Sequence, residues 1–530
     1  MLKRRDFALL AATSPLALAL GRAAQAATPK DTFVVAKDIS DILTMDPQEL
    51  YEITGGEVGI AVYDQLLRYD PLDVTKIIGG TAQSWSATED GKEYTFKLRK
   101  GMKFASGAPV TADDIAWSMQ RGVIIDKTPA FLLNQFGWTK DNVASLVTAP
   151  DADTLHFKLI NGYAPSLVYN VMTTIITSPV EKKVVMAHET NGDMGNAWLK
   201  TNYAGSGAFK LISWKANESV TMEANPGYHL GAPKIKRVVL RHVPEPASQR
   251  LLLEKGDADI AINLTADQIK PLEANKSVKI ESYPGAETWY MAMNMSDERF
   301  KNPKVRQAMK MLVDYDGIAN TFLKGRVTVQ QTFWPLGLFA AIKYNPWKLD
   351  VAKAKQLLAE AGYPNGFEVK LNVPTQPPNP DIAQAVQQTM AQAGVKLSLI
   401  TSDLKQVLTE YRSRHHQMVV INWSPDYFDP HSNADSFAHN DDDSDGAKNH
   451  PLAWRNHYYD PDINKMMAAA AQELNADKRK AAYAALMKKH IDEGPFIIMF
   501  QNAFQEAFRT NVKGYYASVD YDNYRTVTKS

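Results

Sequence analysis

The chain has 530 residues and equal numbers of basic and acidic ones, 59 Lys plus Arg and 59 Asp plus Glu. This balance leaves no net positive field, so nucleic acid is not an expected partner. The absence of cysteine excludes disulfides, thiolate metal sites, cysteine nucleophiles and lipid attachment through an N-terminal cysteine. With 45% hydrophobic residues, a chain of this length is expected to fold into about two or three globular domains.

Residues 1–27 have the pattern of an export signal. Basic residues precede the apolar run Phe7–Leu20, and Ala24-Gln25-Ala26 supplies the small residues that a signal peptidase requires. Arg4-Arg5 resembles a twin-arginine signal, with the general export route as the alternative. We expect a soluble protein of the periplasm, because no later stretch has the roughly 18 consecutive apolar residues of a transmembrane helix.

The first part of the mature chain predicts two kinds of structure. Residues 81–160 contain short alternating strands, such as Tyr94–Leu98 and Thr154–Leu159, and indicate a small α+β insertion. A strand over Ile235–Val243, a helix over Glu245–Lys255 and a strand over Ala258–Asn263 then form one βαβ unit. This unit predicts an α/β lobe.

A second α/β lobe is predicted further along the chain. Its strands and helices are expected at Phe367–Val373, Asp381–Gln392, Val395–Ile400, near Leu404–Arg414, and at Met418–Trp423. The extended segment Glu281–Met295 is expected to connect the lobes, with a second crossing near Pro495–Gln505.

The carboxyl ends of these strands predict the position of a ligand. In open α/β sheets, ligands bind outside those ends, which nominates Ile262–Leu264 in one lobe and Pro374–Gln376 with Asn422–Asp426 in the other. Two lobes that face each other across such ends form a cleft. The last segment combines aromatic rings with carboxylates, which suits an amine-bearing organic ligand.

The sequence resembles the large extracellular solute-binding proteins of the dipeptide, oligopeptide and nickel class, family 5, which serve ATP-driven importers. The motifs that carry the resemblance occur in the family's order: Thr81–Arg121, Gly205–Phe209, Asn294–Ile318, Asp350–Phe367 and Trp423–Pro430. The resemblance implies an α/β, type II, two-lobed and hinge-connected periplasmic-binding-protein fold, with an extra α+β subdomain in the first lobe. The implied limits are 28–65, 205–283 and 501–530 for the first lobe, 66–204 for the inserted subdomain and 284–500 for the second lobe.

The resemblance also implies the function. A protein of this class is a monomer without cofactor or catalytic activity, which captures a peptide or peptide-like molecule by hinge closure and delivers it to an ABC permease in the inner membrane. The alternatives are a non-peptide cargo, such as an opine, a glycoside, haem or a nickel complex, and a periplasmic hydrolase.

Six residues are candidates for contact with the ligand. The resemblance implies that Asp426 pairs with the ligand's α-ammonium; the alternative is that Asp426 caps a turn before Pro430. Trp423 is expected to form an aromatic wall, or else to pack at the end of its strand. The remaining candidates are Tyr427 in the same motif, Glu52 in the first lobe, and Trp289 and Tyr290 on the connection, where the last two could instead pack the hinge.

One departure from the family pattern concerns the ligand's carboxylate. Certain oligopeptide binders carry an arginine three residues before the tryptophan, where this sequence has Val420. Arg412 and Arg414 are the alternative partners, although arginines at helix ends are often solvated.

Metal binding is not expected. The acidic run Asp441–Gly446 matches the first half of a calcium loop, but position 12 of that loop is Leu452 instead of a bidentate glutamate. The histidines lack the spacing of a helical zinc pair. We therefore predict solvated side chains at these positions and no metal site.

Overall fold

The computed structural model describes residues 28–262, 264–516 and 524–530. The predicted export signal, residues 1–27, lies outside them. Within these ranges, no helix combines the length and the hydrophobicity that a membrane crossing requires.

The chain begins in the first lobe with β1 (Thr32–Lys37) and α1 (Ile53–Val62). The inserted subdomain follows. Its elements are β2 (Leu67–Asp70), β3 (Asp73–Gly79), β4 (Ala82–Ala87), β5 (Glu93–Leu98), α2 (Ala112–Ile125), α3 (Phe131–Asn134), α4 (Val143–Leu146), β6 (Val147–Asp151), β7 (Thr154–Lys158) and α5 (Pro165–Val171). The next two helices, α6 (Lys182–Met186) and α7 (Asn196–Leu199), pack against the first-lobe core through Val185 and Leu199. Strands β4, β5, β7 and β6 form an antiparallel sheet in that order, which contains both strands predicted in this region.

Helix α2 shows how local sequence sets these elements. Thr111 caps it, since its side chain accepts a hydrogen bond from the backbone N–H of Asp114 while the Asp114 carboxylate accepts from the backbone N–H of Thr111. The apolar side chains of Ile115 and Met119 lie one turn apart and are buried in the subdomain core.

The chain then returns to the first lobe. Its elements there are β8 (Phe209–Lys215), β9 (Ser219–Ala224), β10 (Arg237–His242), α8 (Pro246–Lys255), β11 (Ile260–Ala261) and α9 (Ala266–Ile269). Strand β1 lies between β10 and β11 and pairs parallel to both. The predicted βαβ unit is therefore confirmed, although β11 is shorter than expected and Asn263 lies outside the described residues.

Strand β12 (Val278–Met293) leads into the second lobe, and β17 (Phe496–Arg509) leads back to the first. The elements between them are α10 (Glu298–Lys301), α11 (Pro303–Met311), α12 (Tyr315–Asn320), β13 (Val327–Val329), α13 (Val351–Glu360), β14 (Glu368–Pro374), α14 (Asn379–Ala391), β15 (Lys396–Ser402), α15 (Leu404–Arg412), β16 (Met418–Trp423), α16 (Pro430–Phe437), α17 (Leu452–Arg455), α18 (Pro461–Gln472) and α19 (Ala476–Glu493). A short hairpin of β18 (Val512–Lys513) and β19 (Thr528–Lys529) ends the described chain.

The two long strands connect the lobes. In the main sheet the order is β15-β14-β16-β12-β17-β11-β1-β10-β9-β8, with β13 also paired to β17. Strands β12 and β17 are antiparallel along their length, with a break in register between Pro284 and Thr288. Both crossings predicted from the sequence are thus strands of one continuous sheet.

An ion pair fastens the inserted subdomain to the first lobe. The Arg121 guanidinium donates to both carboxylate oxygens of Asp46, at 2.8 and 2.6 Å, and both side chains are completely buried. Gln48 and Asn196 complete the network, since the Gln48 amide oxygen accepts from Arg121 and the Asn196 amide donates to Asp46.

Replacement of Arg121 by methionine would leave the Asp46 carboxylate buried without its cation. We expect Arg121→Met to lower the free energy of unfolding by about 3–5 kcal/mol, measured by chemical denaturation. Arg237→Met is the matched control, because Arg237 pairs with Glu223 at the surface and exposed pairs contribute about 0–1 kcal/mol. Equal losses in the two variants would contradict this account.

Candidate functional site

The segment Trp423–Pro430, here called the site segment, leaves the carboxyl end of β16 and faces the first lobe. At its centre, the Tyr51 hydroxyl of the first lobe donates a hydrogen bond of 2.9 Å to Asp426 Oδ1. The backbone N–H of Asp426 donates to Ser432 Oγ at 2.8 Å. The carboxylate is thus directed toward the opposite lobe, and no ion pair joins it to a cation among the described residues.

Asp429 fixes the end of the site segment. It caps α16 by accepting from the backbone N–H of His431, and the Arg479 guanidinium donates to both of its carboxylate oxygens at 2.7 Å. Arg479 also donates to Ser166 Oγ of the inserted subdomain. Asp429 therefore has the capping role considered for Asp426, whose carboxylate accepts from Tyr51.

Further contacts hold the site segment against the inserted subdomain. The backbone N–H of Phe428 donates to the Tyr69 hydroxyl at 2.8 Å, and the two rings lie 4.8 Å apart. The Tyr427 hydroxyl donates to Gln135 Oε1 at 3.3 Å, and its ring packs in the subdomain core. The structure thus has its lobes in contact through the segment predicted to bind the ligand, with Tyr427 at the boundary.

The surroundings of Asp426 disfavour its charge. Burial raises the pKa of this carboxyl group to about 7, and the negative charge of Asp435 acts in the same direction, while the hydrogen bond from Tyr51 lowers it. Burial and the nearby Asp426 also raise the pKa of the Tyr51 phenol. Near neutral pH, no cation within the described ranges stabilises the ionised carboxylate.

The aromatic candidates are divided between the two faces of the sheet. Tyr290 is fully buried in the second-lobe core, edge-on to Phe437, and its hydroxyl contacts that of Tyr411 at 3.3 Å. Trp423 also packs edge-on against Phe437, but it is only half-buried. Trp289 is half-buried on the opposite face. The expected ligand contact by Tyr290 has no support in this geometry, because its ring fills the core.

Glu52 lies at the N-terminus of α1, at the edge of the first lobe that faces Arg412. Burial and the charge of Asp41 raise the pKa of its carboxyl group, whereas the positive charge of Arg412, from the second lobe, lowers it. The structure therefore brings Glu52 and Arg412 to the same cleft.

Arg414 has a structural role. Its guanidinium bonds to Asp443 at 2.6 Å and Asp445 at 3.1 Å, and lies 4.2 Å over the Trp454 ring. Two aspartates of the acidic run thus contact a buried arginine, where we expected solvated side chains. Among the described residues, no cluster of three or more histidine or carboxylate side chains could hold a metal ion.

Three residues of the cleft were not predicted. Tyr51 adjoins the nominated Glu52, but no local pattern indicates its bond to Asp426. Arg455 is the last residue of α17, and no sequence motif marks its position. Glu287 occupies the break in β12, where the side-chain amides of Asn422 and Asn502 donate to it, and burial raises its pKa to about 7.

Comparison with known proteins places this geometry in context. Residues 76–445 match the family described as "Bacterial extracellular solute-binding proteins, family 5 Middle". The probable D,D-dipeptide-binding periplasmic protein DdpA of Escherichia coli (strain K12) is 30% identical over 501 residues, which cover 93% of this chain and 92% of the relative.

Two solved structures share the fold. The periplasmic binding protein DppA from Helicobacter pylori, in complex with the peptide STSA, has a TM-score of 0.80 at 22% identity and covers 94% of this chain and 98% of its own. NikZ from Campylobacter jejuni, in complex with Ni(L-His), has a TM-score of 0.79 at 20% identity, with 95% and 100% covered. The predicted two-lobed type II fold is confirmed.

The raised pKa of Asp426 predicts a dependence of stability on pH. Because the folded-state pKa of about 7 exceeds the ordinary value of 3.8, folding binds a proton between these values, and stability falls as the pH rises through this range. We expect Asp426→Asn to remove this contribution, so that the free energy of unfolding of the variant, relative to the wild type, increases from pH 4 to about pH 7 and then levels off. Denaturation at a series of pH values measures the difference, and a difference that is constant across the range would contradict the assignment.

Proposed function

The chain belongs to family 5 of the bacterial extracellular solute-binding proteins, and we propose that it captures an amine-bearing, peptide-like solute between its lobes. After export to the periplasm, it delivers this solute to the inner-membrane permease of an ABC importer. The observation that carries the proposal is the Asp426 carboxylate, which accepts a hydrogen bond of 2.9 Å from Tyr51 of the other lobe and has no cationic partner among the residues that the structure describes.

A ligand ammonium suits this position physically. Burial of a carboxylate is costly unless a charged, hydrogen-bonding partner accompanies it. An ammonium donates up to three hydrogen bonds, and charged hydrogen bonds are stronger than neutral ones. The rings of Tyr51 and Phe131, 6.0 Å apart, add apolar surface to which the rest of the ligand can bind.

A peptide-like cargo is supported by the relatives. DdpA is named for D,D-dipeptides, and DppA was solved with a peptide. NikZ was solved with a nickel–histidine complex, so a non-peptide cargo is the alternative. Every one of these ligands contains an amino acid, so the proposal for Asp426 is compatible with each. Mass spectrometry of the small molecule that co-purifies with the protein identifies the cargo.

Hydrolysis is the less favoured candidate, and we propose that the protein is not an enzyme. The hydroxyl next to Asp426, Ser432 Oγ, accepts from the backbone N–H of Asp426 and has no histidine or lysine bonded to it among the described residues. A serine nucleophile requires such a base.

Asp426→Asn tests the proposed ligand contact. We expect the variant to bind the dipeptides L-Ala-L-Ala and D-Ala-D-Ala at least about tenfold more weakly than the wild type, because it loses a charged hydrogen bond worth about 1.5 kcal/mol or more. Isothermal titration calorimetry measures the affinities.

Asp316→Asn, at an exposed position of α12, is the control and should leave the affinity unchanged. The affinity of the wild type should also rise from pH 5.5 to 7 as Asp426 ionises, whereas that of Asp426→Asn should not. Equal affinities in wild type and variant, with the same pH dependence, would refute the assignment.

Closure around the ligand is tested by small-angle scattering. The bonds from Tyr51 to Asp426 and from Phe428 to Tyr69 join different lobes, so they require the lobes to be together. Because a ligand that contacts both lobes favours this state, saturation with the tighter-binding dipeptide at pH 8, where the ionised Asp426 carboxylate favours the open form of the free protein, should reduce the radius of gyration. A radius that stays constant at saturation would contradict capture by hinge closure.

A further inference from the structure

The start of helix α5 in the inserted subdomain meets the turn between α18 and α19 of the second lobe. The backbone N–H of Ala164 donates to the backbone carbonyl of Ala471 at 3.1 Å. Arg479 Nη1 donates to Ser166 Oγ, also at 3.1 Å. These four residues, here called the latch, join the subdomain to the second lobe through groups other than those of the site segment.

The end of helix α18 lies between two hydrophobic cores. Ala470 packs in the second-lobe core, whereas the next side chain, Ala471, packs in the core of the inserted subdomain and is only 3% exposed. Ala471 thus contributes to the core of a unit to which its own helix does not belong. Separation of the lobes would expose this side chain to water and would leave the second-lobe core unchanged.

The packing beside the latch is that of a surface that can separate. A cavity of about 270 Å³ lies between Val74 and Ile77 of the subdomain and Leu338 and Phe339 of the second lobe, and Ser166 forms part of its wall. The interior of a folded unit contains few voids larger than a water molecule, whereas contacts between domains of one chain resemble transient interfaces. The cavity therefore indicates a contact between two units that move relative to each other.

The junction of the subdomain with the first lobe is of the opposite kind. There, Arg121 and Asp46 form a completely buried ion pair in which both carboxylate oxygens accept hydrogen bonds. Because breaking a buried ion pair is costly, we expect the subdomain and the first lobe to move as one body. The latch lies between this body and the second lobe, which separate when the cleft opens.

We propose that the latch holds the lobes closed through contacts that do not involve the solute. Its two hydrogen bonds and the burial of Ala471 form only when the subdomain reaches the second lobe, so they stabilise the closed state with or without ligand. This inference goes beyond the proposed function, because it does not depend on the cargo.

The latch also affects binding. The apparent affinity for a solute that binds the closed state rises with the population of that state, so the latch strengthens the binding of every solute by the same factor. Arg479 connects the latch to the site segment, since its guanidinium also donates to both carboxylate oxygens of Asp429 at 2.7 Å.

Ala471→Gln tests the latch in the protein without ligand. The larger side chain cannot enter the subdomain core without displacing its neighbours, while the second-lobe core stays as it is. At pH 6, where Asp426 is mostly protonated and its charge does not favour the open form, small-angle scattering should give a larger radius of gyration for this variant than for the wild type. Ala468→Gln, the same substitution at an exposed position of α18, is the matched control and should leave the radius unchanged.

Calorimetry with L-Ala-L-Ala and D-Ala-D-Ala measures the effect on binding. We expect Ala471→Gln to weaken the binding of both dipeptides by the same factor, about fivefold or more, because the closed state loses a hydrogen bond and an apolar contact whichever dipeptide is bound. Ala468→Gln should bind both with wild-type affinity. Weakening by clearly different factors would contradict the latch, since the residue would then act on the ligand itself.

The scattering and unfolding results decide the proposal whatever the cargo is. An unchanged radius of gyration in Ala471→Gln, or an equal increase in Ala468→Gln, would overturn it. A much lower temperature of thermal unfolding in Ala471→Gln than in Ala468→Gln would also overturn it, because Ala471 would then belong to the fold of the second lobe instead of a separable contact. If neither dipeptide binds the wild type, the peptide-like cargo is refuted, and the radius of the ligand-free variant still decides the latch.

Discussion

The pairing of β12 with β17 is the interaction on which the rest of the structure depends. These strands of 16 and 14 residues run antiparallel through both lobes. Strand β16, which leads into the site segment, is bonded to one side of the pair, and β11 of the first lobe to the other. The position of Asp426 relative to Tyr51, 375 residues earlier, is therefore set by a single strand pair. Where its register breaks, between Pro284 and Thr288, the ladder of backbone hydrogen bonds is interrupted, and bending there disrupts fewer of these bonds than elsewhere.

Polar side chains fill that break and connect it to the site. Gln501 donates to the backbone carbonyl of Gly285 at 2.7 Å, and the Asn502 side-chain oxygen accepts from the backbone N–H of Glu287 at 3.0 Å. A Cβ atom at Gly285 would lie 1.9 Å from that oxygen, so a larger residue cannot occupy this position without moving Asn502. Glu287 also accepts from Asn422, next to Trp423 on β16, so its carboxylate links the break to the strand that carries the site segment.

The sequence predicts the parts of this arrangement that depend on local pattern. The period of the apolar residues predicted the positions of β14, α14, β15 and β16. Contacts between distant residues could not be predicted in this way. Side chains alternate along β12, so Trp289 and Tyr290 point to opposite faces of the sheet and only one of them could line the cleft. The sequence does not reveal which face of the sheet borders the cleft. Similarly, Arg412 and Arg414 are two residues apart, yet Arg414 is buried by an acidic run 29 or more residues later, which leaves Arg412 at the cleft.

The ionisation of Asp426 depends on whether the lobes are open or closed. Burial raises the pKa of its carboxyl group to about 7, and Tyr51 of the first lobe covers one of its oxygens; separation of the lobes would expose the carboxylate to water and lower this pKa. Above neutral pH, the ionised carboxylate therefore favours the open protein, because only the open form hydrates the charge. A ligand ammonium reverses this preference, since it stabilises the charge only where Tyr51 and Asp426 enclose it. A shift from a mostly open to a mostly closed population requires about 5.5 kcal/mol of differential affinity. An ion pair formed only in the closed state contributes to this difference in full, whereas an apolar contact with one lobe stabilises both states equally and contributes nothing.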